Sequence, residues 1–243
     1  MKNIFLFFLL IFSFFCKAQL ARDITYGAFV GGIYSKMGNL ERAIIPDGIY
    51  TGYEVEEKGY PSIKMGLFLN WKYPSEKFSI QPEFYYSHQR TNFEYNDING
   101  LSYNIKFSYH NLNGGFLFKY YVIDNFYVGA GPYLTFNLDK DALEYFSNGE
   151  EMARKTGVYF EPDIVVQKKL KQSFEGKDYF HVAFELGHEF NNNLNISIRY
   201  QLGLSDVLET QENGYRFRDT RNKVNAFALQ IGYRFDFYGV NNF

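Results

Sequence analysis

Along most of this chain apolar residues recur at every second position, the period of a β-strand with two unlike faces. Residues 194–205 are the clearest case. Leu194, Ile196, Ile198, Tyr200, Leu202 and Leu204 fall on one face, and Asn195, Ser197, Arg199, Gln201, Gly203 and Ser205 on the other. Near the end, Phe227, Leu229, Ile231, Tyr233, Phe235 and Phe237 alternate with Ala226, Ala228, Gln230, Gly232, Arg234 and Asp236. The same period sets Ile63, Met65, Leu67, Leu69 and Trp71 against Lys64, Gly66, Phe68 and Asn70. It also sets Phe78, Ile80, Pro82, Phe84 and Tyr86 against Ser79, Gln81, Glu83, Tyr85 and Ser87. Further alternating strands begin at Phe126 and Phe180, the second carrying Glu185 and Glu189 on its polar face. Two segments are less regular. Residues 24–35 are glycine-rich, and the stretch 107–122 changes phase near Gly114-Gly115, which predicts a bulge there.

These segments make eight predicted strands, and their connections alternate in length. Short ones fall at residues 73–77, at Ile123-Asp124-Asn125 and at Asn191-Asn192-Asn193. Long polar ones fall at about 36–60, 92–103, 140–177 and 206–221. Beyond residue 18 no apolar run is long enough to cross a bilayer as a helix. The pattern predicts an all-β fold, an eight-stranded antiparallel up-and-down transmembrane β-barrel. It has short periplasmic turns and four long extracellular loops.

Composition strengthens that reading. Tyr and Phe number 22 and 27, aromatics reach 21%, and yet the mean hydropathy is −0.31. A soluble domain would need a very large core for so many rings, whereas a barrel turns them to lipid and its polar residues inward. The charges nearly balance, 25 basic against 27 acidic, so nothing suggests a phosphate-backbone surface or a nucleic-acid partner.

Residues 1–18 read as a cleavable export signal. Lys2 gives the positive start, residues 4–15 are apolar apart from Ser13, and Cys16-Lys17-Ala18 puts small residues at the positions that precede a cut before Gln19. Lipidation at Cys16 is the alternative, but Phe15 stands where that processing wants a small residue. Residues 19–243 are then the barrel domain. Loss of Lys2 and Lys17 takes the net charge from −2 to −4 and leaves no Cys, which excludes disulfides and thiol chemistry.

Eight strands enclose a lumen that side chains fill. The inward set carries Lys64, Lys119, Arg199 and Arg234 against Glu83, Glu185, Glu189 and Asp236. Unpaired charges there are costly, so these residues are expected to form a structural ion-pair network that plugs the barrel. Enzymatic chemistry finds little support. A Ser nucleophile needs an adjacent base, and none of His88, His110, His181 and His188 is followed two positions on by Ser. Ser108-Tyr109-His110 has that spacing reversed. Asp97-Ile98-Asn99-Gly100 is similar to a calcium loop, but Tyr95 and Lys106 stand where acidic ligands belong, so a turn is expected. No catalytic residue, cofactor or metal is assigned.

The whole plan resembles the PorT-like outer-membrane β-barrel family of Bacteroidetes. Ile24-Thr25-Tyr26-Gly27-Ala28-Phe29-Val30-Gly31-Gly32 carries the likeness, with Phe118-Lys119-Tyr120-Tyr121, Tyr127-Val128-Gly129-Ala130-Gly131-Pro132-Tyr133, and Leu194-Asn195-Ile196-Ser197-Ile198-Arg199-Tyr200. The resemblance implies the barrel fold, and in a few members a part in secretion. The last strand resembles the signal read by the barrel-assembly machinery, with Gln230, Gly232, Phe235 and Phe237 at its key positions; residues 238–243 extend beyond it. The expected protein is a non-enzymatic barrel of the cell outer membrane. It contacts outer-membrane lipid and presents loops to partners or assists a secretion or surface complex. A lipid-modifying enzyme and a small-solute pore are the alternatives.

Overall fold

The computed structural model describes residues 24–45, 52–72, 77–210 and 221–235. The strands are β1 (Ile24–Gly38), β2 (Tyr53–Lys72), β3 (Phe78–Asp97), β4 (Ser102–Ile123), β5 (Phe126–Asn137), β6 (Leu143–Ser147), β7 (Phe174–Gly176), β8 (Tyr179–Glu189), β9 (Leu194–Gly203), β10 (Leu208–Thr210) and β11 (Lys223–Phe235). Three helices join them: α1 (Leu40–Ile44), α2 (Gly149–Thr156) and α3 (Asp163–Ser173). The antiparallel order β3-β2-β1-β11-β9-β8-β5-β4 closes on itself through β3–β4 pairing, so eight strands form a ring. The first and last strands of the ring meet from Tyr26 opposite Phe235 to Gly38 opposite Lys223. β6 continues the wall beside the upper part of β4, and β7 pairs with β10.

At one end the connections are tight. Asn125 and Asn193 both take a φ of 69°, the left-handed region that Asn tolerates in such turns. At the other end the strands run well past the apolar belt. There the polarity of the two faces exchanges. Toward the tight turns, Val30, Leu67, Phe84, Phe118, Leu186, Ile198 and Leu229 point outward and are exposed, while charged and amide side chains point inward and are buried. Toward the other end, Met37, Phe93, Ile105, Phe107, Tyr109, Leu143, Phe174 and Val224 point inward and form one buried cluster. Glu54, Glu56, Glu94 and Lys106 line the outside of that end. The chain is thus a lipid-facing barrel continued by a water-facing one.

This exchange corrects two expectations. The phase change near Gly114-Gly115 is not a bulge: β4 pairs with β3 in unbroken register from Ser102 to Tyr120. What changes there is which face is apolar. The stretch 92–103 is mostly strand, closed by a short turn in which the Asp97 carboxylate accepts the backbone N–H groups of Asn99 (2.8 Å) and Leu101 (3.0 Å). The turn reading of that motif holds. Register shifts lie elsewhere, in β2 between Tyr60 and Lys64, where Pro61 has no N–H to give the ladder, and at the end of β4 between Tyr121 and Ile123.

Inside the upper cluster, α1 turns Leu40, Ile44 and Ile45 into the mouth. Its first turn is held by the Glu57 carboxylate, which accepts the N–H groups of Leu40 (2.6 Å) and Glu41 (3.3 Å). The connection 140–177 is a structured extension: β6 and α3 are joined where the Asp163 carboxylate accepts from the Ser147 N–H (2.8 Å) and hydroxyl (2.5 Å). Tyr53, Tyr95, Tyr103 and Tyr145 form a row of rings across β2, β3, β4 and β6, with centroids 5.4, 4.5 and 5.6 Å apart. Burial there pushes the Tyr103 phenol up. Lys58, on the outside, is held above its usual range by hydrogen bonds to Glu94 and Glu56. Residues 1–18, the short turn at 73–76, most of the connection 206–221, and Asp236 and Phe237 lie outside the described residues.

Candidate functional site

The lumen holds two tiers of charge. In the upper tier the Arg199 guanidinium, on β9, donates to both Glu83 oxygens (2.6 and 2.8 Å) and through Nε to Glu185 Oε2 (2.5 Å). Glu185 lies directly opposite Arg199 in the β8–β9 register, while Glu83 comes from β3 across the lumen. All three side chains are buried. Their remaining lone pairs are filled by neutral donors: Tyr133 Oη to Glu83 (2.9 Å), Gln81 Nε2 to Glu83 (2.6 Å), Tyr127 Oη to Glu185 (2.6 Å) and Gln230 Nε2 to Glu185 (2.9 Å). In the lower tier Glu189 accepts from Lys119 Nζ (3.1 Å), Tyr121 Oη (2.9 Å) and Arg234 Nη1 (3.1 Å).

A second polar group lies on the opposite side of the wall. Four side chains of β3 and β4 point outward just above Phe84, starting level with Leu112. Tyr86 Oη and His110 Nδ1 are 2.6 Å apart, and His88 Nε2 and Ser108 Oγ are 2.8 Å apart. The two imidazoles stack with centroids 4.5 Å apart and planes 2° from parallel. Arg90 stands opposite Ser108 in the same ladder and donates to the Pro61 carbonyl (2.7 Å).

A model of the family described as an outer membrane protein beta-barrel domain matches residues 17–209. The chain belongs to that family. It is an integral protein of the outer membrane, and its ring of eight antiparallel strands is the family's barrel. No curated protein sequence matches it. Among solved structures it is similar to the attachment invasion locus protein Ail of Yersinia pestis, in complex with the heparin analogue sucrose octasulfate. The identity is 14%, over 88% of this chain and 99% of that one, with a TM-score of 0.38. OprG of Pseudomonas aeruginosa is 15% identical over 87% of this chain and 94% of that one, with a TM-score of 0.37. The outer membrane protease OmpT of Escherichia coli is 10% identical over 88% and 95%, with a TM-score of 0.30.

In this outer-membrane barrel Glu83, Glu185 and Arg199 come together in one tier and Lys119, Glu189 and Arg234 in the other. Lys64 does not join them as an ion pair. It is buried, but among the described residues its Nζ has no hydrogen-bond partner, and it lies over the rings of Tyr85 (4.3 Å) and Phe29 (5.1 Å). Gly66, the next inward residue of β2, lets Tyr85 approach closely, since a Cβ there would collide with the Tyr85 Cβ. The lumen tyrosines were readable only as inward residues; their role as donors to Glu83, Glu185 and Glu189 depends on cross-barrel distances that spacing does not give.

Of the last strand, Gln230 and Gly232 are buried and inward, and Phe235 is outward and 42% exposed. Ser108 and His110 share one face as expected, yet Ser108 bonds the His88 ring across the ladder. Among the described residues no carboxylate orients either imidazole, and no group of three or more His, Cys, Asp or Glu is set to hold a metal ion.

Proposed function

We propose that this outer-membrane barrel is a non-enzymatic platform with a filled lumen, which holds its helix-bearing extension outside the cell for a protein partner such as a secretion or surface assembly. The observation that carries the reading is the apolar cluster inside the far end of the barrel, which fixes β6, α3 and β7 to the wall rather than leaving them as loops. Short turns on the periplasmic side are the rule for such barrels. That orientation puts Val158, Tyr159, Ile164 and Val165, at 57, 79, 78 and 40% exposure, at the cell surface. Four exposed apolar side chains within so short a segment suit a protein contact better than bare water.

The PorT-like resemblance supports a link to secretion. A cut before Gln19 would deliver the chain to the periplasm, and Gln230, Gly232 and Phe235 suit recognition by the barrel-assembly machinery. The two tiers of paired charge favour a plug over a pore.

Tyr159→Cys, in a mature chain with no other Cys, tests the platform. Intact cells treated with a membrane-impermeant maleimide should label it. Labelling only after lysis would refute the orientation. A deletion strain should lose secretion or surface assembly while lipid A acylation and solute uptake stay unchanged. A change in lipid A alone would replace the reading with an enzyme, and a change in uptake alone with a pore.

A further inference from the structure

The outward face of β3 and β4 grades from apolar to cationic in three steps. Tyr86 stands opposite Leu112, then His88 opposite His110, then Arg90 opposite Ser108. One step further, Lys106 lies opposite Asn92 on one side and Glu144 of β6 on the other. Below the cluster the wall is lipid-facing: Phe84 is 55% exposed, and Leu134 and Phe136 of β5 are 53% and 48% exposed beside Gly114 and Leu112. The cluster therefore sits at the edge of the apolar belt, where lipid headgroups lie.

The hydrogen bonds within the cluster use half of each imidazole. The Tyr86 hydroxyl occupies His110 Nδ1 and the Ser108 hydroxyl occupies His88 Nε2. The other ring nitrogen of each has no partner among the described residues. Where a hydroxyl donates to one ring nitrogen, the proton resides on the other, so the free nitrogen is a donor. In the tautomers in which each hydroxyl donates, two free ring N–H groups on stacked rings lie in one ladder with Arg90, one guanidinium nitrogen of which is engaged by the Pro61 carbonyl. The carboxylates further up, Glu94 and Glu56, are occupied by Lys58 at 2.7 and 3.0 Å. Neighbouring ring donors, an Arg one step along the same face and no carboxylate within the cluster suit a tetrahedral oxyanion.

We infer that His88, His110, Ser108, Tyr86 and Arg90 form a binding site for the phosphorylated headgroup of a lipid whose acyl chains lie along Phe84, Leu112 and Phe136. The lipid is preferred over a dissolved anion because the donors open onto the belt edge rather than into a cavity.

The test uses the mature chain in phosphate-free maltoside micelles doped with phosphorylated lipid A or its dephosphorylated form, with retained lipid counted by native mass spectrometry. The wild type should retain the phosphorylated form selectively. Arg90→Gln and His110→Gln should each weaken retention about tenfold, the loss of one charge-assisted or ring donor. Lys58→Gln, on the same outer wall but engaged by acids, should leave retention unchanged. Boiled and unboiled gel migration establishes that each variant is folded, and Ser108→Ala serves if one is not. Equal retention of the dephosphorylated lipid, or unchanged retention in the folded variants, overturns the site. Displacement by millimolar inorganic phosphate would assign it to a dissolved anion instead. Release of free fatty acid by the wild type, abolished in Ser108→Ala, would overturn binding in favour of catalysis.

Discussion

Arg199→Ala is the sharpest perturbation the lumen offers. The side chain is buried and makes three hydrogen bonds to two carboxylates. Its removal leaves Glu83 and Glu185 facing each other with only Tyr133, Tyr127, Gln81 and Gln230 as donors. Breaking one buried ion pair typically costs about 3–5 kcal/mol, because the remaining charge is uncompensated. Here two charges are stranded, so the upper half of that range is expected. At about 1.4 kcal/mol per tenfold, the folding equilibrium constant should fall by roughly three orders of magnitude. Urea unfolding of vesicle-refolded protein can be followed through Trp71, the single tryptophan of the chain. A second variant separates stranded charge from lost packing. Arg199→Met combined with Glu83→Gln and Glu185→Gln removes all three charges at similar volume. It should recover most of the loss, since a buried ion triad is often replaceable by neutral groups at little cost. If Arg199→Ala unfolds within about 1 kcal/mol of the wild type, or if the triple variant is no better than the single, the plug does not rest on charge pairing.

Three further outcomes are expected. Ile198 faces lipid at 48% exposure, so Ile198→Arg should cost about 2–4 kcal/mol in bilayers while Ile198→Leu costs little, and equal stability would mean that β9 is turned the other way. Closure leaves no edge from which to unravel, so unboiled protein in cold detergent should migrate differently from boiled protein on a gel. Planar bilayers holding the purified wild type should carry no steady current, and well-resolved channels would reject the filled lumen.

The lipid-facing half of the fold was legible because period-2 alternation with apolar residues outside has one solution in a bilayer. Leu194 to Leu202 and Phe227 to Phe235 read directly onto their strands. The far half was misread because the same alternation continues with its sense exchanged. Ile105, Phe107 and Tyr109 turn inward where Lys119 and Tyr121 had, and a single solvent assumption makes that look like a slipped phase or a loop. The helices within 140–177 escaped notice because α2 and α3 are short and α3 buries none of its residues. Of the lumen site, the facing of each charge followed from parity alone, but pairing did not. Arg199 chose Glu83 across the barrel as well as Glu185 beside it, and Lys64 was left among rings. Such choices depend on which strands face one another across the closed ring.

The exchange of polarity along single strands has a mechanical consequence. A barrel uniform along its axis could slide up or down in a bilayer at modest cost. Here any upward slip would drag Phe84, Leu134 and Ile198 into water, and any downward slip would bring Glu54, Glu56 and Glu94 into hydrocarbon. The strands therefore carry their own depth gauge. The water-facing section is held at a fixed height above the lipid, so the partner proposed above would meet it at a constant distance from the membrane.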